Sequence, residues 1–456
     1  MPRTSSRKRQ AVAYNEDSDN ATLETRKAGK TSSKSNGTEP KKATTTTGKR
    51  KLESAAKEED TSQTVGQPKK RRTRTKAEES TMALAERTSV SSLAKAMYIG
   101  AHVSSAGGVQ NAVSNAVQIG ANSFALFLKS QRKWDNPPIS TEARDKFISN
   151  CREHGYSAAE HALPHGSYLV NLAQADESKA AQAYAGFLDD LERCEQLGIK
   201  LYNFHPGSTG GEPRPAAIGR IAAQLNKAHK ATTSVITVLE NMAGAGNVIG
   251  SSWQDLRDII ALTEHKDRIG VCIDTCHAFA AGHDLRTPDA FHKTMDAFDQ
   301  TIGFKYLKAF HFSFFSSPGL TIIPTVNDSK APLHSNRDLH ANIGTGFLGL
   351  RPFHSIVNDP RFRNMPMVLE TPIDRKAPDG KVSEDKQIWA DEIKLLESLV
   401  GMDPEGAAFR EMEEKLWAQG AAERSRIQDQ VDKKAAKDAK KSRAKPGAPP
   451  FPPKNE

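Results

Sequence analysis

Leu201-Tyr-Asn-Phe-His205, the amphipathic stretch Arg214 to Lys230 and then Val235-Ile-Thr-Val-Leu-Glu240 read as one strand–helix–strand unit. Short apolar runs alternating with amphipathic stretches are the mark of repeated βα units. Working outward, the same texture begins near Tyr98. The predicted strands are Tyr98 to Val103, Ser123 to Leu128, Ser157 to Leu163, Leu201 to Phe204, Val235 to Leu239, Gly270 to Ile273, Tyr306 to Phe310 and Met365 to Leu369. Helices are expected at Gly108 to Ile119, Asp176 to Leu197, Arg214 to Lys230, Trp253 to Glu264, Pro288 to Thr301 and Glu384 to Val400. Eight strands in strict alternation favour the α/β class, as a (β/α)8 TIM barrel, over an open sheet.

The expected organisation is a basic tail over residues 1–95, a barrel over 96–400, and a charged, helix-biased, Pro-rich tail over 401–456. The first tail is rich in Ser, Thr, Lys, Ala and Glu and carries no periodicity, which predicts disorder. It holds Lys49-Arg50-Lys51 and the run Lys69, Lys70, Arg71, Arg72, Arg74 and Lys76. Such runs read as nuclear localisation signals recognised by import receptors, or as nucleic-acid patches, against the plainer alternative of a solvated basic tail. The sparse early acidic residues leave mitochondrial targeting open as a second destination. No window has the length of a membrane span and no secretory signal is evident, so an intracellular protein is expected.

The net charge of +9 is unevenly spread. Residues 1–80 carry +9 and residues 431–456 carry +5, which leaves −5 for the middle. Nucleic-acid binding by the barrel must therefore use a local patch or bound cations. The four cysteines, Cys151, Cys194, Cys272 and Cys276, have no paired spacing, so neither a disulfide framework nor a zinc finger is expected.

In such a barrel the active site lies at the C-terminal ends of the strands. The third predicted strand ends in His165, the fourth in His205, the fifth in Glu240, the sixth in Asp274 followed by His277, the seventh in His311 and the eighth in Glu370. Taken singly, each is explained as a hydrogen-bonded rim residue. Together they form a convergent titratable cluster. Clustered carboxylates resist ionisation unless cations neutralise them, and a His/carboxylate set without cysteine suits borderline divalent ions such as zinc. More ligands than one tetrahedral site needs imply more than one ion, and a metal cluster is an arrangement that phosphodiester cleavage exploits.

Several segments resemble the endonuclease IV family of abasic-site endonucleases. They are Ile99-Gly-Ala-His-Val-Ser-Ser-Ala-Gly-Gly108, Lys129-Ser-Gln-Arg-Lys-Trp134, Pro164-His-Gly-Ser-Tyr-Leu-Val-Asn-Leu172, Asn203-Phe-His-Pro-Gly-Ser208, Leu239-Glu-Asn-Met-Ala-Gly244, Gly270-Val-Cys-Ile-Asp-Thr-Cys-His-Ala-Phe-Ala-Ala-Gly282 and Leu369-Glu-Thr371. The resemblance implies a monomeric DNA-repair enzyme with three Zn2+ ions, cutting 5′ to abasic sites through a zinc-bound hydroxide and trimming blocked 3′ ends. By the same resemblance His165, His205 and Glu240 hold one ion. Glu240 bridges to a second held by Asp274, His311 and Glu370, and His277, Asp338 and His340 hold the third. Arg132, Tyr168 and Leu169 match residues that enter the DNA where the abasic nucleotide flips out, a task suited to an apolar wedge, an aromatic ring and a phosphate-binding cation. For Tyr168 and Leu169, simple local packing is the alternative.

One departure stands out. The family motif after the seventh strand is His, one residue, then Asn-Asp, whereas here residues 312–326 separate His311 from Asn327-Asp328. This apolar insertion has the character of a retained intron or a gene-model error. Two other readings remain at this stage: a metal-dependent sugar isomerase on the same barrel, and a non-catalytic chromatin-binding protein acting through its tails. Turnover of polyols would favour the first, and loss of DNA binding on removal of the first 95 residues the second.

Overall fold

The computed structural model describes residues 82–93, 97–308, 326–376, 380 and 382–443. The tail signals Lys49 to Lys51 and Lys69 to Lys76, the Pro-rich end, His311 and all of the insertion except Val326 lie outside the described residues.

Among the described residues, seven parallel strands form most of a barrel: β1 (Met97–His102), β2 (Ser123–Leu126), β3 (Ala162–Pro164), β4 (Leu201–Phe204), β5 (Ile236–Glu240), β6 (Ile269–Cys272) and, late in the chain, β9 (Met365–Leu369). One run of neighbours is β3-β2-β1-β9 and another is β4-β5-β6. A parallel bridge between His165 and Asn203 joins the two runs. At the seventh position the chain divides: Leu307 bridges to Val271 of β6, while the Val326 N–H donates to the Val368 carbonyl of β9 at 2.8 Å. A Cβ on Gly270 would stand 1.8 Å from Cγ of Lys308, so glycine is what lets the incoming half-strand close on β6.

Strands β2, β4, β5, β6 and β9 are buried along their whole length, as expected when helices cover the outside and side chains fill the inside. The interior is filled by Ala125, Leu163, Leu201, Ile236, Val238, Cys272 and Val368. A larger core packs the outer strand faces against α1 (Gln110–Gln118), α2 (Thr141–Glu153), α4 (Glu177–Leu197), α5 (Arg214–Ala231), α6 (Trp253–Leu262), α8 (Pro288–Thr301), α9 (Arg351–Asn358) and α10 (Gln387–Ser398). Side-chain caps start several of these: Ser140, Asp176, Ser252 and Thr287 each accept the backbone N–H three residues on. All four cysteines are buried, and no disulfide forms among the described residues. No helix of the described residues is long and apolar enough to cross a membrane.

Two expectations need correction. The strand expected over Ser157 to Leu163 is real only from Ala162, because Ala158–His161 form a helical turn, α3, with the Glu160 and His161 N–H groups both donating to the Ser157 carbonyl. Ala-Ala-Glu is a strong helix-forming run, and local propensity prevails before the strand begins. The expected N-terminal tail also ends earlier than residue 95. The Arg87 guanidinium bonds to Asn122 and to the His154 carbonyl and lies 4.0 Å from the Tyr156 ring, tying this segment to the barrel.

Candidate metal centre

The barrel brings the rim residues together as sequence position alone suggests. His165 follows β3, His205 follows β4, and Glu240 ends β5 fully buried. Asp274 follows β6 by one residue and caps α7 (Thr275–Ala281), its Oδ1 accepting the His277 N–H at 2.6 Å. That cap places His277 in the first turn of α7, facing back across the rim. Asp338 and His340 arrive by another route, on a loop and a two-residue strand, β8 (His340–Ala341), paired antiparallel with β7 (Asp328–Ser329). The loop before Asp338 is stitched down: the Asn336 N–H donates to the Ala280 carbonyl and its side chain to that of Ala243, and the His334 N–H donates to the Phe279 carbonyl.

Three imidazoles share one arrangement. His165 donates Nδ1–H to the Gly166 carbonyl (2.7 Å), His277 to that of Asn241 (2.9 Å) and His340 to that of Glu370 (3.2 Å). Each tie fixes the tautomer and turns Nε2 toward a carboxylate: Glu240 at 3.2 Å from His165, and Asp338 at 2.6 Å from His277 and 3.1 Å from His340. A backbone acceptor behind Nδ1 is how a metal-binding imidazole is held. His205 Nε2 lies 3.7 Å from Glu240. Four sets of side chains have donor atoms within 4.8 Å of one another: His165/His205/Glu240, Glu240/Asp274/His277, His277/Asp338/His340 and Asp274/Cys276/His340. Cys276 did not figure among the expected ligands, and burial pushes its thiol up to about 12.

Charge explains why these groups call for cations. Burial raises Asp274, an effect only partly opposed by His277 and His340. Burial would raise Glu240 and Asp338 too, but contacts with His165, His205 and His277, and with His277 and His340 respectively, hold both well below the usual carboxylate range. The protein thus gathers carboxylates that stay ionised only beside positive charge. Among the described residues, buried Glu240 Oε1 accepts no well-directed hydrogen bond, and Asp338 Oδ1 and His340 Nε2 face only each other, at 3.1 Å and outside hydrogen-bond geometry. Such groups cost about 1–3 kcal/mol each when left unsatisfied, and bound cations would satisfy them. The donor set fits divalent metal ions.

Glu370 stands on the same rim in a different setting. Its Oε1 lies 3.1 Å from Nδ1 of His102, at the end of β1, which helps hold it at about 2 against the effect of burial. Of its expected co-ligands, Asp274 belongs to the cluster and His311 lies outside the described residues. Sequence reasoning assigned no role to His102, Asn203, Asn241 or Asn327. Asn203 donates to Glu240 Oε2, and Asn241 brackets the Asp274 backbone at 2.7 and 3.2 Å. Asn327 donates to Asp274 Oδ2 at 2.8 Å and accepts the Glu370 N–H at 2.7 Å. Two of them left a signal: His102 stands at the end of the first strand, as the other rim groups do of theirs, and Asn203 lies two residues before His205, a spacing that shares one face of a strand.

Around this centre, Tyr168 is 50% and Leu169 38% exposed, with the Tyr168 ring 5.4 Å from those of both His165 and His205. Arg132 is exposed on the loop after β2. A partly buried network anchors both ends of that loop: Lys129 contacts Asp189 (2.7 Å) and Asp190 (3.2 Å), and Arg193 donates to the Pro137 carbonyl at 2.7 Å.

Residues 113–399 match the family described as xylose isomerase-like TIM barrel. The chain is 48% identical to apurinic-apyrimidinic endonuclease 1 of Saccharomyces cerevisiae over 300 residues, 66% of this chain and 75% of that protein. It is 44% identical to apurinic-apyrimidinic endonuclease 1 of Schizosaccharomyces pombe over 329 residues, 72% and 89% of the two chains. Among solved structures, endonuclease IV from Thermus thermophilus matches at TM-score 0.53 and 28% identity, over 67% of this chain and 99% of that one. The rim geometry and these relatives lead to one conclusion: the chain belongs to the endonuclease IV family of abasic-site endonucleases, on the xylose isomerase-like TIM-barrel fold.

Proposed function

We propose that this chain is a DNA-repair endonuclease that hydrolyses the phosphodiester 5′ to an abasic site and also trims blocked 3′ ends. The observation that carries the reading is the trio of imidazoles tied back through Nδ1, with Nε2 turned into a cluster of buried carboxylates. One ion would be held by His165, His205 and Glu240, and one by His277, Asp338 and His340. A third would be held by Glu240, Asp274, His311 and Glu370. Imidazole and carboxylate donors suit zinc. When bound, the ions would lower the pKa of water and offset negative charge developing on the phosphoryl oxygens.

The protein's own groups do the rest. Asn203, Asn241 and Asn327 hold Glu240 and Asp274 in place. Tyr168 and Leu169, exposed above His165 and His205, are suited to fill the gap left by a flipped nucleotide, and Arg132 to grip a phosphate. All of these groups come from one chain, so a monomer suffices. The Lys69 to Lys76 run supports nuclear delivery by import receptors, testable by mislocalisation of a fluorescent fusion when it is neutralised.

The decisive test is incision of a duplex bearing one tetrahydrofuran abasic analogue. Cleavage on its 5′ side, leaving a 3′-hydroxyl, with loss on chelation and in Glu240→Ala, is the expected result. Chelator-resistant cleavage, or none by the parent enzyme, would overturn it.

A further inference from the structure

Helix α11 (Ala407–Arg443) lies beyond the family match, which ends at residue 399. Its contacts give it a direction. Phe409 is fully buried, its ring 5.3 Å from that of His354 in the middle of α9. Glu413 pairs with Arg351 at the start of α9 (2.9 Å), and Arg424 donates to the Thr345 carbonyl (2.6 Å) in the preceding loop. Gln430 then meets Arg337 (3.5 Å), next to Asp338 of the metal centre. Because α9 starts on the metal-bearing face and runs away from it, α11 climbs the barrel wall toward that face. Residues 431–443 continue beyond Gln430 for roughly 20 Å at 1.5 Å per residue.

This overshoot is basic. It holds Lys433, Lys434, Lys437, Lys440, Lys441 and Arg443 against Asp432 and Asp438, and the first three lysines are exposed. The span 81–430, by contrast, carries −5. A long cationic helix end held beside the rim of an acidic barrel is complementary to a phosphate backbone. We propose that the end of α11 is a DNA-backbone arm that contacts phosphates of the duplex seated on the metal-bearing face. The proposal rests on the reading of duplex DNA as substrate.

The test compares wild type with the triple variant Lys433→Glu, Lys434→Glu, Lys437→Glu. A control, Lys200→Glu, Lys230→Glu, Lys305→Glu, makes the same charge change with exposed lysines on the strand-start side of the barrel. Kd for an undamaged 25-base-pair duplex is read by anisotropy across a salt series, and KM and kcat are read on the same duplex with one tetrahydrofuran site. Phosphate contacts carry no base or lesion information. The arm variant should therefore lose about tenfold in both Kd and KM, keep its kcat, and show a log Kd–log salt slope smaller by about 2 to 3. The control should stay near wild type. Unchanged slope and KM in the arm variant, equal losses in the control, or an effect confined to nuclear import would each overturn the arm. Should wild type bind DNA with a steep salt dependence yet fail to incise, the proposed activity falls and the arm is judged on Kd alone.

Discussion

The rim over β3 to β6 and the seam at the seventh strand position use the same kinds of side chain in opposite structural settings. Over β3 to β6, each of His165, His205, Glu240 and Asp274 sits within two residues of a strand end, and the strands pair continuously from β4 to β6. At the seam, Leu307 closes on β6 and Val326, the last residue of the insertion, on β9. On one side the placement of these side chains comes from adjacent paired strands. On the other it rests on Asn327, which joins Asp274 to the Glu370 backbone across the division. There a single side chain supplies a link between the ends of β6 and β9 that a strand ladder supplies elsewhere on the rim.

The largest expected effect lies on the continuous side: Glu240→Ala should lower incision by roughly a thousandfold and reduce bound metal, measured by gel assay and elemental analysis. A full-rate variant would break the comparison at its centre. On the seam side, deleting residues 312–325 brings Val326 directly after His311, ahead of Asn327-Asp328. The expected outcome is a higher metal stoichiometry and faster incision than in the parent, and equal metal content would show that the insertion leaves the site intact. Asn327→Ala should then cost about 10- to 100-fold in metal affinity by competition with a chelator, the range for supporting groups behind ligands. Asn203→Ala, set on the continuous side, should cost less because the flanking strands still hold Glu240.

Smaller effects follow. Tyr168→Ala should raise KM for the abasic duplex about tenfold, as loss of one stacking partner does, with little change on undamaged DNA. The weakest test probes the buttress behind β9. Glu392 bonds to Thr371 and to the Ile343 N–H, and burial raises its carboxyl to about 7. Between its ordinary value and about 7 the folded protein keeps a proton that the unfolded chain has lost, so this group's contribution to stability falls as pH rises through that window. Glu392→Gln imitates the protonated form. Its Tm should fall less between pH 5 and pH 8 than the parent's, by roughly 5 °C, and parallel curves would remove Glu392 as the cause.

Strands β4 and β9 match the sequence reading to the residue, and β1, β2, β5 and β6 shift by one or two, because short apolar runs bounded by helices leave little choice of register; of the strand expected over Tyr306 to Phe310, Tyr306 ends a 3-10 turn, Leu307 makes a single bridge, and residues 309–310 lie outside the described residues. The miss at Ser157 to His161 arose where an apolar run began with helix-forming alanines.

By itself the sequence determined the barrel and the identity of most rim groups, since a ligand placed where a parallel strand ends must emerge on the same face as its neighbours. Tertiary structure decided the partnerships: His102 with Glu370, 268 positions apart, Asn327 with Asp274 and Glu370, and α11 with the loop carrying Asp338. These depend on how the barrel closes, and closure brings together residues whose spacing in sequence carries no trace of their contact.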